Sequence, residues 1–285
     1  MYLKDKTPLD APHSGIVVIE DFDQWDMWYA EKRVSLDLLP KYDYYQNLGI
    51  VVKGAGCKTH AIVKGTDIVP LQIYHPHNVK PKNTEQAFAL NLLWDDSIDL
   101  VILSGSAGSG KTFLSIAHGM EQVFERKKYK KLIIAKSMTP VGREIGFLKG
   151  DLQDKIIPWM GSFMDSMNQL GYNQKDVTEY IIDAKYVELL PLTFIQGRSI
   201  TDSIVVVDEA QNLDKNIIKQ IVTRIGVGSK LILLGDLTQI FEDMSEESSG
   251  LTHVLNKGLN TEFVGHTIMA KSVRSDLASW AVRNL

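Results

Sequence analysis

The sequence predicts an α/β fold, in which helices cover both faces of a parallel β-sheet and a small β-rich segment precedes it. From residue 83 onward, continuous apolar runs such as 100–103, 132–135 and 203–207 alternate with stretches of helical character. Continuous apolar runs are typical of strands that are buried on both faces, and alternating β and α segments are typical of parallel sheets. Residues 16–78 differ, because glycines separate their short strand-like runs.

Length and composition are those of an ordinary globular protein. The chain has 285 residues, of which 44% are hydrophobic and 23% are charged, enough for one large domain and a small appendage. Its formal net charge of −4 provides no global basic field for nucleic acid. A single cysteine excludes an intrachain disulfide and favours a cytoplasmic setting. We predict no membrane span, because the longest apolar runs are only long enough for strands.

We expect two units along the chain. The first is a small β-rich N-terminal subdomain with its linker, residues 1–80, and the second is an α/β domain, residues 81–285. The predicted strands of the first unit are 16–19, 47–53, 60–64 and 67–71, with a helical turn at 25–31. The predicted strands of the second unit are 100–103, 132–135, 187–192, 203–207 and 231–234, with a last one formed by 263–264 together with 267–269. Its predicted helices are 85–94 with Thr84 as N-cap, 111–126, 147–170, 217–225 and 272–284.

A glycine-rich octapeptide follows the strand predicted at 100–103. It fits the pattern G-x-x-x-x-G-K-[ST] at every fixed position. Small residues leave the backbone N–H groups free to surround a phosphate, and the helix that begins there adds positive potential. The pattern predicts a P-loop NTPase of RecA-like, three-layer αβα architecture. The predicted nucleotide-binding residues of this loop are Gly105, Ser106, Ala107, Gly108, Ser109, Gly110, Lys111 and Thr112.

Two adjacent carboxylates follow the strand predicted at 203–207. Asp208 is expected to hold Mg²⁺ through water, beside the Thr112 hydroxyl that also holds the ion. Glu209 is expected to polarise an attacking water, which favours hydrolysis over transfer to another acceptor. Lys111 is expected to neutralise the charge of the β- and γ-phosphates. ATP and Mg²⁺ are therefore the predicted ligands, and the predicted activity is that of an ATPase.

Polar residues also follow the strand predicted at 231–234, in the run Gly235-Asp-Leu-Thr-Gln239. In P-loop ATPases with a catalytic glutamate, this strand lies between the phosphate-loop strand and the Asp-Glu strand. Gln239 is therefore expected to reach the γ-phosphate or its water.

In combination, these motifs resemble the PhoH-like ATPases, relatives of superfamily 1 helicases with a single motor domain. The resemblance covers most of residues 81–285. Its motifs are Pro81-Lys-Asn-Thr-Glu-Gln86, 105–112, Thr139-Pro140, Gly146-Phe-Leu-Lys-Gly-Asp-Leu, Gln196-Gly-Arg198-Ser-Ile, Asp208-Glu-Ala-Gln-Asn212, 235–239 and Val273-Arg274.

The resemblance implies further roles. Gln86 would contact adenine, Gln211 would couple the hydrolytic site to the sheet edge, and Arg198 and Arg274 would stabilise the γ-phosphate, in cis or from a neighbouring subunit. It also implies coupling to RNA or single-stranded nucleic acid and assembly into a homo-oligomeric ring such as a hexamer. Some relatives carry a PIN nuclease domain, and residues 1–80 are too short to form one. The Arg-Pro-Ala of the family is replaced by Met138-Thr-Pro-Val141, which removes an arginine unless Arg143 substitutes.

Two alternatives to an ATP hydrolase remain at this stage. One is an ATP-dependent binding or assembly switch with little hydrolysis, and the other is a P-loop kinase of a small molecule. A dense basic run, Arg126-Lys-Lys-Tyr-Lys-Lys131, is a solvated helix end or a nucleic-acid patch, and we favour the former.

Overall fold

The computed structural model describes residues 14–136, 161–173, 186–195, 197–240, 244–245 and 248–271. The strands are β1 (Ile16–Ile19), β2 (Val34–Ser35), β3 (Gly49–Gly54), β4 (Cys57–Lys64), β5 (Asp67–Pro70), β6 (Leu100–Ser104), β7 (Lys131–Lys136), β8 (Val187–Pro191), β9 (Ser203–Asp208), β10 (Lys230–Gly235) and β11 (Val264–Ile268). The α-helices are α1 (Trp25–Glu31), α2 (Thr84–Trp94), α3 (Lys111–Met120), α4 (Gly161–Gln169), α5 (Lys215–Val222) and α6 (Gly250–Gly258).

The larger sheet confirms the predicted fold class. Within the described residues it has six strands in the order β11-β6-β10-β9-β7-β8, and every neighbouring pair is parallel. Strand β10 lies between β6 and β9, as predicted. Because the strands are parallel, their carboxyl ends share one edge of the sheet. Ser104, Lys136, Asp208 and Gly235 end four of these strands at that edge.

Helices cover both faces of this sheet, as the continuous apolar strands predicted. On one face, Leu103 packs in a core with Leu114 of α3 and Phe163 of α4. On the other face, its neighbour Ile102 packs in a core with Leu251 of α6. Successive residues of a strand point to opposite faces, so a strand covered on both sides must be apolar throughout.

The N-terminal segment forms a smaller mixed sheet in the order β1-β3-β4-β5-β2. Strand β1 pairs with β3 in parallel, and the other pairs are antiparallel. Trp28, Val34, Ile50 and Ile68 contribute to its own core. The predicted β-rich character is confirmed, while the division of the chain near residue 80 stays a prediction.

Asn47 connects the smaller sheet to the larger one. Its Nδ2 donates to the carbonyl oxygens of Glu262, at 2.9 Å, and Val264, at 2.8 Å. Its Oδ1 accepts a hydrogen bond from Lys64 Nζ at 2.6 Å. The residue is buried and has a left-handed backbone with φ of 63°, which asparagine tolerates better than most residues do. Asn47 therefore holds the smaller sheet against the edge strand β11.

Some predicted element bounds need correction. The N-cap of α2 is Asn83 and not Thr84, because Asn83 has an extended backbone and its side chain accepts a hydrogen bond from Gln86 N. The helix predicted at 111–126 is α-helical only to Met120 and continues as a π-helical turn, Glu121–Glu125. The predicted helix 272–284 and most of the predicted helix 147–170 lie outside the described residues.

We expect Asn47→Ala to lower the free energy of unfolding by about 2–3 kcal/mol, because two buried hydrogen bonds are lost and alanine is strained in a left-handed conformation. Asn47→Gly keeps the backbone conformation and should recover about 1 kcal/mol of that loss. Urea unfolding measures both values. Asn256→Ala, at an exposed position of α6, is the matched control and should change stability little. Equal stability of Asn47→Ala and Asn256→Ala would contradict the role of Asn47.

Candidate functional site

A cleft of about 410 Å³ lies at the carboxyl edge of the larger sheet. Strands β7, β9 and β10 and the loop after β6 contribute to its walls, together with α4 and the segment before α2. The lining residues are Val79, Lys80, Lys82, Gln86, Ala107, Gly108, Gly110, Lys111, Thr112, Phe113, Leu114, Lys136, Ser162, Asp165, Ser166, Gln169, Asp208, Glu209, Gly235, Asp236 and Gln239. The cleft therefore brings together side chains from all three sequence motifs.

The loop at 105–112 has the backbone geometry for which its glycines are required. Gly105, Gly108 and Gly110 have φ angles of 133°, 78° and 98°, which favour glycine over other residues. A Cβ at Gly105 would lie 2.3 Å from the Met269 carbonyl oxygen. Helix α3 begins immediately afterwards at Lys111, so its first N–H groups are available to an anion.

Lys111 lies folded over this loop. Its Nζ donates to the carbonyl oxygens of Gly105, at 2.5 Å, and Ser106, at 2.9 Å. The side chain also lines the cleft. This arrangement places a positive charge beside the loop, and the role of Lys111 toward phosphate stays a prediction.

Gln86 braces the loop from the side of α2. Its Nε2 donates to Ser109 O at 2.9 Å, and its Oε1 accepts from Lys82 N at 2.8 Å. The side chain is buried. It lies in the cleft, as predicted, but one donor and one acceptor position are used by the backbone. Its contact with adenine stays a prediction.

Asp208 and Thr112 line the same cleft. Asp208 Oδ1 accepts from Glu209 N at 3.1 Å, and Oδ2 accepts from Ser162 Oγ at 3.3 Å. Lys136 Nζ lies 3.8 Å from Oδ2. Burial raises the pKa of the Asp208 carboxyl, and the nearby Glu209 carboxylate adds to this rise, whereas the Lys136 ammonium opposes it.

The donor groups fit a magnesium ion. A hydroxyl and a carboxylate are hard oxygen ligands, and Mg²⁺ is usually held by one or two carboxylates, water and phosphate oxygens. Across the described ranges, no group of three or more His, Cys, Asp or Glu side chains converges to form a metal site. Thr112 and Asp208 line the cleft beside the loop and offer hard oxygen atoms, while their role as magnesium ligands stays a prediction.

Gln211 holds the Glu209 side chain in place. Glu209 has a left-handed backbone with φ of 56° and ψ of 36°. Its Oε2 accepts a hydrogen bond from Gln211 Nε2 at 2.7 Å. Gln211 is fully buried, and its Oε1 accepts from Asp236 N at 3.1 Å. The amide thus connects the ends of β9 and β10, an arrangement that suits the coupling role expected of Gln211.

The end of β10 forms a tight polar turn. Asp236 Oδ1 accepts hydrogen bonds from Thr238 N, at 3.0 Å, and Thr238 Oγ1, at 2.6 Å. Gln239 N donates to Asp236 O at 2.9 Å, and the Gln239 side chain lines the cleft. The turn therefore places Gln239 on the same wall as Glu209, while its role as a sensor stays a prediction.

Of the two arginines predicted to act at the γ-phosphate, the structure describes Arg198 but not Arg274. Arg198 Nη1 donates to Glu188 Oε1 at 2.6 Å, and Arg198 does not line the cleft. Glu188 also lies within 3.5 Å of Lys131, at the amino end of β7. This placement argues against a role of Arg198 at the γ-phosphate of its own chain. Arg274, Arg143 and the motif residues 139–140, 146–152 and 196 lie outside the described residues.

Sequence reasoning missed part of the site. Lys136 directly follows an apolar strand, so the rule that identified Asp208 would also have identified it. Ser162, Asp165, Ser166 and Gln169 come from α4, and no motif marks this helix. Lys80 and Lys82 belong to the segment before α2.

The basic run at 126–131 is largely neutralised by acidic partners. Arg126 pairs with Glu121 at 3.0 Å and lies over the Trp94 ring. Lys128, Lys130 and Lys131 pair with Asp96, Asp202 and Glu188. These pairs support the interpretation as a solvated, ion-paired surface and not as a nucleic-acid patch.

Comparisons with known proteins agree with the sequence motifs. A curated relative from Bacillus subtilis (strain 168), "Protein PhoH2", is 33% identical over 264 residues, which cover 89% of this chain and 60% of that protein. A second relative from the same organism, "PhoH-like protein", is 32% identical over 62% of this chain and 58% of that protein. "Protein PhoH2" of Mycolicibacterium smegmatis is 33% identical, over 70% of this chain and 46% of that protein. The chain thus spans about half the length of the curated relatives it matches.

Solved structures show weaker similarity. The large terminase of a thermophilic bacteriophage matches with a TM-score of 0.42 and 14% identity, over 68% of this chain and 48% of that chain. The Pif1 helicase of Candida albicans matches with a TM-score of 0.36 and 14% identity, over 70% of this chain and 42% of that chain. At such scores these similarities support no argument about function.

In the part of the chain that the structure describes, every helix is too short or too polar to traverse a bilayer. A model of one protein family, described as "PhoH-like protein", matches residues 78–285. Because this match covers well over half of the sequence, the chain belongs to the PhoH-like protein family.

Proposed function

We propose that the chain binds ATP with Mg²⁺ in the cleft and hydrolyses the γ-phosphate. The observation that carries this proposal is that Asp208 and Glu209 line the same cleft as the phosphate loop, with Glu209 Oε2 accepting a hydrogen bond from Gln211 Nε2 at 2.7 Å. Membership of the PhoH-like family supports the same conclusion.

The chain's own residues divide the proposed reaction between them. The N–H groups of the loop and the ammonium of Lys111 would hold the β- and γ-phosphates. The Thr112 hydroxyl would hold Mg²⁺, and Asp208 would hold the same ion through water. Bound Mg²⁺ neutralises charge on the phosphate oxygens. Glu209 orients the attacking water and polarises it, and Gln211 fixes the direction of the Glu209 carboxylate. Gln239, which follows β10 and lines the cleft, would contact the terminal phosphate or its water.

Coupling to RNA or single-stranded nucleic acid, assembly into a ring and a cytoplasmic location are part of the proposal, and they rest on the family resemblance. Because the run at 126–131 is ion-paired, we assign the contact with nucleic acid to other residues. An arginine, Arg274 in cis or in trans or Arg198 of a neighbouring subunit, would complete the site in such a ring.

We expect Glu209→Gln to lower the rate of phosphate release by about 10²–10⁴-fold, because an amide cannot polarise water as a carboxylate can. ATP binding should persist in this variant, whereas Lys111→Ala should weaken it. Glu31→Gln, at an exposed position of α1, is the matched control. Single-turnover release of labelled phosphate from ATP gives the rates.

A rate of phosphate release for Glu209→Gln equal to that of the control would refute Glu209 as the base. An unmodified chain that binds ATP and releases no phosphate would indicate the binding switch. Transfer of the label to a small molecule would indicate a kinase.

We expect Gln211→Leu to slow phosphate release by about 10–100-fold while the affinity for ATP stays within about twofold, because Gln211 positions Glu209 without facing the phosphate loop. Leucine also leaves the buried Asp236 N–H without its acceptor, so the free energy of unfolding should fall by about 1–3 kcal/mol. Isothermal titration and urea unfolding measure the two quantities. Gln220→Leu, at an exposed position of α5, is the control. A parallel loss of ATP affinity would show that Gln211 acts on binding and not on the water.

We expect RNA or single-stranded DNA to raise the ATPase rate severalfold, and duplex DNA to raise it less. The stimulation should decrease as salt is increased, because phosphate contacts depend on counterion release. Light scattering with and without ATP should report a mass of several chains. An ATPase rate that is independent of all three polymers, from a chain that stays monomeric, would refute both the coupling and the ring.

A further inference from the structure

Lys136 is a charged residue of the cleft to which the proposed function gives no role. It ends β7 and stands in register with Asp208 at the end of β9. Its Nζ lies 3.8 Å from Asp208 Oδ2, and its side chain lines the cleft beside the phosphate loop. A positive charge of the chain therefore stands next to the carboxylate that we assign to Mg²⁺.

The order of the strands places Lys136 and Lys111 on opposite sides of the cleft. Lys111 follows the loop after β6, and β10 and β9 separate β6 from β7. Neighbouring strands are about 4.8 Å apart, so the two strand ends are roughly 14 Å apart. Glu209 follows β9 and lies between them. A terminal phosphate in front of Glu209 would thus have one lysine on each side.

At 3.8 Å from Asp208 Oδ2, the Lys136 ammonium is close enough for electrostatic attraction but not for a hydrogen bond. A divalent cation at Asp208 would weaken this attraction, because the cation offsets the carboxylate charge and repels the ammonium. Lysine has a long flexible stem and can redirect its charge. A terminal phosphate in front of Glu209 would be an alternative partner, because Lys136 and Glu209 line the same cleft.

Other basic residues of the described chain are less suited to this role. Arg198 is engaged with Glu188 at 2.6 Å and does not line the cleft. Lys80 and Lys82 line it from the segment before α2, near Gln86, and not from the ends of the strands.

We propose that Lys136 contacts the γ-phosphate of the bound nucleotide and provides, from within the same chain, a second cation besides Lys111 that stabilises the charge on that group during hydrolysis. This inference rests on the proposed ATPase function. It makes Lys136 a residue that distinguishes ATP from ADP, because ADP has no phosphate at that position.

Binding of the non-hydrolysable analogue AMP-PNP and of ADP, measured by isothermal titration in the presence of Mg²⁺, tests this proposal. We expect Lys136→Ala to weaken AMP-PNP binding by about tenfold or more, as for the loss of a charged hydrogen bond. The affinity for ADP should stay within about twofold, because the lost contact is absent from that complex. Phosphate release should fall by about 10²-fold, and Lys136→Arg should recover most of both effects.

Lys131→Ala is the matched control. Lys131 begins the strand that Lys136 ends, and it also lies near a carboxylate, at 3.5 Å from Glu188, but it does not line the cleft. We expect its affinities for both nucleotides to equal those of the unmodified chain. Thermal unfolding of each variant, together with Lys136→Met as a replacement of similar length, shows whether an effect comes from misfolding.

Three outcomes would overturn the inference. Equal weakening of AMP-PNP and ADP would mean that Lys136 only maintains the shape of the cleft. Unchanged affinity for AMP-PNP with a stronger response to Mg²⁺ would mean that Lys136 is only a counter-ion of Asp208. Recovery of AMP-PNP affinity by Lys136→Met as complete as by Lys136→Arg would exclude a role for the charge of Lys136.

A different outcome separates this inference from the proposed function. A chain that binds AMP-PNP through Lys136 and releases no phosphate would refute the hydrolysis and leave the contact with the γ-phosphate supported.

Discussion

The buried amide of Gln211 is the interaction on which the candidate hydrolytic site depends. Its Nε2 donates to the Glu209 carboxylate, and its Oε1 accepts the N–H of Asp236. An amide can satisfy a carboxylate and a backbone N–H at the same time, whereas a carboxylate at this position would satisfy only one of them and an apolar side chain neither. A Cβ at Gly235 would lie 2.9 Å from Gln211 Oε1, so the glycine that ends β10 makes room for the amide. Hydrogen bonds of one side chain, Gln211, therefore join the residue that follows β9 to the residue that follows β10.

The phosphate loop is also held by contacts that lie outside its motif. The chain after β11 passes against its first residues, where Ser106 Oγ donates to Ala270 O at 2.9 Å. On the side of α2, Glu85 Oε2 accepts from Lys271 N at 3.0 Å, and Gln86 donates to Ser109 O. Two adjacent residues of α2 thus hold the loop and the segment that supports it. The position of the loop therefore depends on α2 and on the segment that follows β11 as well as on its own glycines.

The sequence was sufficient to predict those structural features that are encoded in a short, continuous segment. A strand followed by a glycine loop, or by two carboxylates, is encoded in about ten consecutive residues, and these motifs predicted the cleft, the order of β6, β10 and β9, and the side chains at their ends. The sequence was insufficient to predict contacts between segments that lie far apart along the chain. Ser162 meets Asp208 across 46 positions, and Asn47 meets Val264 across 217, so neither contact leaves a pattern in its own neighbourhood. Arg198 is a different case, because the family resemblance implies a role at the γ-phosphate in cis or from a neighbouring subunit, and within its own chain the fold pairs it with Glu188.

The distribution of charge indicates which ligand the described part of the chain is suited to bind. The net charge is −4, and the basic run at 126–131 is largely paired with carboxylates on its own surface. Lysines 80, 82, 111 and 136 line one cleft, and so do Asp165, Asp208, Glu209 and Asp236. The side chains of the cleft therefore carry both signs of charge, and its positive potential is local: it is concentrated at the phosphate loop, where Lys111 and the first N–H groups of α3 lie together. Carboxylates and cations in one cleft suit a ligand that carries an anion and a metal ion together better than they suit an anion alone, because each sign of charge then has a partner.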